Sequence, residues 1–247
     1  MFLADPEHTP YDVRFQIFGI PVRIHPFFWL MMLFLGGGVG PAQFLILFIV
    51  AAFLSLMVHE LGHALAMKRY GIYSSITLYA FGGMTIPFRM HYPSQIGARD
   101  RAFISFAGAG AQYILAFFIA LLYALMFPGE VSFGLSWNYF WQFLAGPASG
   151  GFGFYVDLLF YFLFRVSIIW STLNLLPILP LDGGNILKEF LVWLFPRQGM
   201  VYTVVLSIFC AVFLAVLAFK YGMYFAGIFL LVIAYSNYQI LSPRRPY

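Results

Sequence analysis

"MVHELGHALAMKRYG", residues 57–71, closes an almost unbroken apolar run that begins near Phe44. The stretch places two histidines and a glutamate where side chains suited to hydrocarbon are expected. Ionisable side chains at membrane depth are unfavourable and by default indicate a functional site. An offset of nine residues separates His59 from Lys68, which corresponds to about 14 Å along a helix. We therefore expect His59 to lie near the middle of a bilayer.

The pentapeptide "HELGH" at residues 59–63 matches the pattern HExxH. His59 and His63 share one face of a helix at this spacing, so both imidazoles can bind the same zinc ion. Glu60 is placed to take a proton from water at the open coordination position. An alternative is that the histidines only hydrogen-bond to neighbouring helices, but this does not explain the position of the glutamate.

The composition indicates an all-α polytopic membrane protein. Of the 247 residues, 62% are hydrophobic and 9% are charged, against about 25% charged residues in a soluble domain. We expect residues 1–247 to form a single transmembrane domain with about six spans, each near the ~20 residues that cross a bilayer. The predicted spans cover residues 25–40, 42–67, 102–127, 155–177, 201–219 and 222–241.

The basic residues predict the topology of these spans. With six spans, every one of the 13 Lys and Arg residues except Arg165 and Lys220 falls on the same side. Because Lys and Arg accumulate in cytoplasmic loops, both termini are predicted to be cytoplasmic. The expected partner is the lipid bilayer, and no nucleic-acid patch is visible. Arg165 lies inside the fourth predicted span and requires a partner or a watery cavity.

Two connections differ from the helices around them. Residues 72–90 are rich in β-branched and aromatic side chains around Gly82 and Gly83, which predicts a short membrane-dipping β-hairpin or loop. Residues 128–154 contain no basic residue but several aromatic ones, which is typical of an external segment at the membrane interface. The alternative is that this connection contains part of another span, which would change the count.

A second polar cluster, "NLLPILPLDGG", occupies residues 174–184. Pro177 and Pro180 cannot continue a regular helix, so the chain should unwind there. A catalytic zinc site has three protein ligands and one open position, and Asp182 is a candidate for the third ligand. The alternative is an ordinary turn at the end of a span, with Asp182 capping a helix over residues 185–195.

Together, "HELGH" and "NLLPILPLDGG" resemble the two motifs of the site-2 proteases, which are intramembrane zinc metalloproteases. The resemblance implies that His59, His63 and Asp182 bind one Zn²⁺ ion. It also implies that Glu60 is the general base and that Asn174 helps to position the substrate or its polarised carbonyl. We expect a compact form of the family without appended soluble domains.

Two further segments are similar to the family's pattern. "FGG" at residues 81–83 resembles the family's membrane-dipping hairpin. This implies that Phe81, Gly82, Gly83 and Met84 hold an unwound substrate strand by β-addition. "SFAGAGAQY" at residues 105–113 is similar to the family's AGP-x-x-N segment. Gln112 stands there where Asn is usual, and close packing of helices also explains the small residues of this segment.

The expected function is hydrolysis of a peptide bond in or near a transmembrane segment of a membrane-protein substrate, in a bacterial or archaeal cell membrane. Glu60 would take a proton from water activated by the metal and return it to the leaving amine. One alternative is a membrane-embedded metalloprotease that cuts soluble tails, against which the "LDGG" sequence argues. Another is a non-enzymatic metal-binding or transport protein, in which Glu60→Gln would leave function intact.

Overall fold

The computed structural model describes residues 6–80, 82–88, 96–126 and 152–241. These residues form two compact units, one made of residues 6–80, 82–88, 110–126 and 152–171, the other of residues 96–109 and 172–241. The predicted external segment at 128–154 lies outside the described residues except for its last three positions. The elements are β1 (Val13–Ile17), β2 (Ile20–Ile24), α1 (Pro26–Gly36), α2 (Ala42–Arg69), β3 (Ser74–Tyr79), β4 (Gly82–Pro87), α3 (Ala98–Met126), α4 (Phe152–Asn174), α5 (Asp182–Leu194), α6 (Gly199–Lys220) and α7 (Tyr224–Leu241).

Five of the helices in the described ranges are long and apolar enough to cross a membrane. They are α2, α3, α4, α6 and α7, with 28, 29, 23, 22 and 18 residues. A helix of about 20 residues is sufficient to span the hydrocarbon layer. The predicted helical membrane fold is therefore confirmed, and five of the six predicted spans correspond to these helices.

The remaining predicted span, residues 25–40, is a helix of only 11 residues, α1. It rises about 16 Å, roughly half of the hydrocarbon thickness. α1 starts beside the sheet, where the His25 backbone N–H donates to the Leu78 carbonyl at 2.9 Å. It ends with Gly36 against Leu45 and Phe48, close to the start of α2. The helix is short because it starts at the sheet, which itself contacts the middle of α2.

The hairpin predicted near residues 72–90 is present, and it belongs to a larger sheet. β3 and β4 are antiparallel, with Ile76 opposite Thr85. The sheet has the order β1-β2-β3-β4, in which β2 and β3 run parallel. β4 is thus an edge strand of the sheet in the part of the chain that the structure describes.

Strands β1 and β2 are a feature that the sequence analysis did not predict. They form an antiparallel hairpin whose two-residue turn, Phe18-Gly19, has φ values of 52° and 77°. Positive φ at both positions is typical of the type I′ turn, which usually carries Asn-Gly or Asp-Gly. The alternating pattern of "IPVRI" indicates a strand, but phenylalanine at the turn conceals the hairpin.

The core of the first unit lies between the sheet and helices α1 and α2. Ile24, Ile76 and Leu78 come from the two central strands, and Phe28 and Leu56 come from the two helices; all five are buried. Alternate residues of a strand point to the same face, so β2 and β3 present one apolar surface to α2. This packing holds the sheet against the helix that carries the HELGH motif.

The second unit is built around α5, α6 and α7. Ile178 from the segment before α5 packs with Ala211 of α6 and with Ile233 and Ala234 of α7. Small residues at such contacts let helix backbones approach closely. The segment that precedes Asp182 is therefore part of the core of this unit.

Candidate metal centre

Two histidine rings of α2 meet in the interior of the first unit. His59 and His63 have 3% and 8% of their surface exposed, and their Nε2 atoms lie 3.1 Å apart. Two nitrogen ligands of a tetrahedral zinc ion, each ~2.0–2.1 Å from the metal, lie about 3.3 Å apart. The pair of imidazoles therefore fits two corners of such a site, and the i, i+4 spacing on a helix accounts for their convergence.

Glu60 lies next to the hairpin formed by β3 and β4. Its side chain is buried, with 3% of its surface exposed. The Thr85 hydroxyl of β4 lies 2.8 Å from Glu60 Oε2, to which it can donate, and 3.1 Å from the Glu60 carbonyl. Gly83 packs so closely on the Glu60 side chain that a Cβ atom at this position would overlap it. The hairpin therefore fixes the carboxylate next to the first histidine.

Gln112 of α3 contacts the other side of the first histidine. Its side chain is fully buried, and its Oε1 atom lies 2.9 Å from His59 Nδ1. In the sequence, Gln112 is a departure from the family's pattern, and no role was predicted for it. Thr85 was not noted at all. An amide in an apolar helix is unusual, so the sequence carries a signal at Gln112. Threonine is common in strands, so the sequence carries no signal at Thr85.

Asp182 belongs to the second unit and is the first residue of α5. α4 ends at Asn174, and turn-like hydrogen bonds replace the helical pattern before α5: Ile178 N–H donates to Leu176 O at 2.7 Å, and Leu181 N–H to Ile178 O at 2.8 Å. The unwinding expected from the two prolines is therefore present. The alternative in which Asp182 caps a helix starting at residue 185 is wrong, because α5 starts three residues earlier and Asp182 is inside its first turn.

The two glycines that follow Asp182 have a packing role. A Cβ atom at Gly183 would overlap the Leu175 carbonyl, and one at Gly184 would overlap the backbone of Ile178. Only glycine lets the start of α5 lie against the unwound segment. The pair "GG" is thus explained by close backbone approach within the second unit.

Two polar residues from the last two helices hold the unwound segment. The Leu179 N–H donates to Ser207 Oγ at 3.0 Å, and Asn237 Nδ2 donates to the Leu179 carbonyl at 2.6 Å. Both side chains are buried. No sequence motif predicts this role, although an asparagine inside an apolar span is a detectable exception.

The other predicted site residues are placed as follows. Asn174 is the last residue of α4 and is half-buried. Gly82, Gly83 and Met84 lie at the start of the edge strand β4. Phe81 lies outside the described residues.

Arg165 of α4 has a partner one helical turn away. Its Nη1 atom donates to the Tyr161 hydroxyl, and its guanidinium lies 5.8 Å from the centre of the Tyr161 ring. A cation over an aromatic ring is stabilised by the ring's quadrupole. This pair gives a local account of an arginine inside an apolar helix.

Comparison with protein families identifies the chain. The model of peptidase family M50 matches residues 47–218, which include both histidines, Glu60, Gln112 and the segment around Asp182. The chain belongs to peptidase family M50. The match extends through most of α6, beyond the motifs that carry the resemblance seen in the sequence. It confirms the predicted resemblance to the site-2 proteases, a family whose HExxH motif is typical of zinc metallopeptidases.

Relatives of this M50 chain come from an archaeon and a cyanobacterium. "Zinc metalloprotease MJ0392" of Methanocaldococcus jannaschii is 28% identical over 185 residues, covering 73% of this chain and 46% of the relative. The protein sll0528 of Synechocystis sp. is 29% identical over 196 residues, covering 72% and 43%. The chain thus spans less than half the length of these two relatives.

A solved structure shows the same fold. The site-2 protease from Methanocaldococcus jannaschii superposes with a TM-score of 0.59 at 20% sequence identity, over 96% of this chain and 98% of that one. At this identity the similarity establishes the fold. With the five apolar helices, family and fold show that this M50 chain is an integral membrane protein.

Proposed function

We propose that this chain is an intramembrane zinc metalloprotease that hydrolyses a peptide bond in or near a transmembrane segment of a membrane protein. The observation that supports this most directly is the convergence of His59 Nε2 and His63 Nε2, 3.1 Å apart, on a helix long and apolar enough to span a membrane. Glu60 lies between them in sequence and is buried beside them. Ionisable side chains near the centre of a bilayer are unfavourable, so such a set indicates a functional site.

The proposed ligands of one Zn²⁺ ion are His59, His63 and Asp182. Two imidazoles and one carboxylate form a common catalytic donor set that leaves a fourth position open. The imidazoles fit two corners by their separation. The proposal for Asp182 rests on its place in the LDGG motif and on the way that Gly183 and Gly184 fix the first turn of α5 within its own unit.

In the proposed reaction, Glu60 is the general base. Zinc, when bound, supplies a Lewis acid that activates water and polarises the scissile carbonyl. Glu60 takes the proton from the attacking water and delivers it to the leaving amine. The Thr85 hydroxyl engages Glu60 Oε2, so Oε1 is left to accept the proton. Asn174 is proposed to position the substrate or its carbonyl.

The substrate is proposed to bind along β4. A transmembrane helix hides its peptide bonds in internal hydrogen bonds, so it must unwind before it can be cleaved. β4 is an edge strand, and an edge strand offers unpaired N–H and C=O groups to an extended peptide. Phe81, Gly82, Gly83 and Met84 are the proposed contacts, and Gly83 lies directly against Glu60.

We propose that both termini are cytoplasmic and that residues 1–247 act as a single domain in a bacterial or archaeal cell membrane. β2, which precedes α1, pairs in parallel with β3, which follows α2. The sheet therefore pairs the strand that precedes α1 with the strand that follows α2. The chain thus enters the membrane at α1 and returns through α2 to the same side of the membrane. The basic residues near the ends of the spans support the cytoplasmic assignment of that side.

The experiment that tests this function measures metal content and cleavage of a single-span substrate in lipid. Glu60→Gln should retain zinc and lose about 10²–10⁴-fold in cleavage rate, whereas Asp182→Ala should lose zinc. Glu7→Gln, at an exposed acid, is the matched control and should behave as the wild type.

Other outcomes would favour the alternatives. Cleavage of a soluble peptide in preference to the single-span substrate would indicate a protease that acts at the membrane surface. Zinc-dependent function that persists in Glu60→Gln would indicate a non-enzymatic metal protein. Either result would contradict the proposal.

A further inference from the structure

A buried amide, Gln112, connects α3 to two successive turns of α2. We infer that Gln112 is a positioning residue that sets the tautomer and ring orientation of His59, so that the Nε2 lone pair is available to the metal. The inference rests on the proposed function, since it assigns Gln112 a role in metal binding. All the contacts that support this role lie within the first unit.

The orientation of the Gln112 amide follows from its neighbours. One end of the amide lies 3.1 Å from the Ser55 carbonyl oxygen and 2.9 Å from Ser55 Oγ. A backbone carbonyl can only accept a hydrogen bond, so the group that faces it must be the NH₂ of the side chain. The carbonyl oxygen, Oε1, must then face the opposite way, towards His59 and Ser171.

This orientation of the amide determines the tautomer of a neutral His59 ring. Gln112 Oε1 only accepts hydrogen bonds, so the His59 Nδ1 atom at 2.9 Å must carry a proton. In a neutral imidazole the other nitrogen, Nε2, is then unprotonated. That nitrogen is the one that lies 3.1 Å from His63 Nε2. The Ser55 carbonyl thus orients the Gln112 amide, and the amide in turn leaves His59 Nε2 unprotonated and able to bind a metal.

Buried serine hydroxyls surround the amide. Ser171 Oγ lies 3.0 Å from Gln112 Oε1, and Ser55 Oγ lies 2.9 Å from Ser167 Oγ. Gln112, Ser55, Ser167 and Ser171 are all fully buried, so reversal of the amide would place Oε1 against the Ser55 carbonyl oxygen, with two acceptors facing each other and no donor between them. A buried polar group left without a hydrogen-bond partner is unfavourable.

The length of the glutamine side chain lets it reach two turns of α2. Ser55 and His59 are one helical turn apart on α2, and Gln112 contacts both from α3. An asparagine at the same backbone position is shorter by one carbon–carbon bond, about 1.5 Å, and could not reach both groups without movement of α3. Partners of this kind that orient a ligand histidine typically change metal affinity by about 10–100-fold when removed.

The first test reads the tautomer directly, in metal-free protein. ¹⁵N NMR of histidine-labelled Glu60→Gln protein in lipid nanodiscs should show His59 protonated at Nδ1 and not at Nε2. Addition of Gln112→Met should redistribute the proton between the two nitrogens, whereas Ser167→Ala should not. Protonation of His59 at Nε2 in the parent protein would overturn the inference, and so would a tautomer unchanged by Gln112→Met.

The second test measures zinc affinity by competition with a chelator. Gln112→Met should weaken binding by about 10–100-fold, Gln112→Asn should also weaken it, and Gln112→Glu, which keeps an acceptor at Nδ1, should stay closer to the wild type. Ser167→Ala is the matched control, because it alters the same buried cluster without touching the amide. Equal losses in Ser167→Ala and Gln112→Met, or in Gln112→Glu and Gln112→Met, would overturn the inference.

The two proposals can fail separately. If the wild type binds no zinc, the proposed function fails, while the tautomer of His59 in the metal-free protein still tests the role of Gln112. If the wild type binds zinc and cleaves its substrate but the Gln112 variants match it in affinity, only the inference fails. If Gln112→Met does not fold, the zinc affinity of Gln112→Glu is compared with that of Gln112→Asn, and the inference predicts the weaker binding for Gln112→Asn.

Discussion

The Thr85 hydroxyl lies 2.8 Å from Glu60 Oε2, and this hydrogen bond joins the edge strand of the sheet to the HExxH helix. A carboxylate accepts hydrogen bonds at both oxygens, and Thr85 occupies one of them. The strand proposed to receive the substrate is therefore the strand that orients the proposed base. We therefore expect substrate binding and proton transfer to be coupled through Gly83 and Thr85, two alternate residues of β4 that both contact Glu60.

The first prediction concerns Thr85. Thr85→Val removes the hydroxyl but keeps the β-branched shape, so the strand should persist while the Glu60 carboxylate loses its donor. A hydrogen bond to a charged group contributes about 1.5–3 kcal/mol, and we expect cleavage to fall about 10–100-fold with zinc content unchanged. The measurement is kcat on a single-span substrate. Thr85→Ser, which keeps the hydroxyl, should restore most of the rate, and equal losses in the two variants would contradict the role.

The second prediction concerns Gly83. A Cβ atom at this position overlaps the Glu60 side chain, so Gly83→Ala must displace either the carboxylate or β4. A displacement of about 1 Å in an active site can reduce the rate by about 10²-fold. We expect such a loss in cleavage with zinc retained. Gly38→Ala is the control, since no atom lies within 4 Å of a Cβ there; full activity of Gly83→Ala would show that Glu60 is not constrained by the hairpin.

Much of the fold and the motif was predictable because the relevant patterns are local. Long apolar runs fix the spanning helices, and the i, i+4 spacing of His59 and His63 fixes their convergence. The short α1 could not be predicted, because its start depends on where the sheet contacts α2. The roles of Thr85 and Gln112 depend on contacts 25 and 53 residues away in sequence, which no local pattern encodes.

The third prediction concerns the segment before Asp182. Asn237→Leu removes the donor to the Leu179 carbonyl and leaves a buried acceptor unsatisfied, which costs about 1–3 kcal/mol. We expect a lower Tm in detergent or lipid. Ser236→Ala is the neighbouring control, because its hydroxyl bonds only to the Val232 carbonyl of its own helix among the contacts described. A Tm equal to that of the wild type would contradict the role of Asn237.

The last prediction concerns pH and the residues that precede β1. Asp12 accepts hydrogen bonds from Thr9, Arg23 and Arg14. Burial alone would raise the pKa of this carboxyl, but these donors outweigh it and lower the pKa well below its ordinary value of 3.8. The unfolded chain therefore binds a proton at higher pH than the folded chain does. It follows that Asp12 stabilises the fold fully above its ordinary pKa, and that this contribution is lost as pH falls below it.

Asp12→Asn isolates this effect from the acid sensitivity of the rest of the molecule. The variant should have a lower Tm than the wild type at pH 7, and the difference should be the same at pH 6. As pH is lowered from about 4 towards 2, the wild type should lose the contribution and the two Tm values should converge. A difference that stays constant from pH 7 to pH 2 would show that Asp12 acts through packing and not through its charge. Arg14→Gln, which removes one donor at the surface, should give a smaller difference with the same dependence on pH.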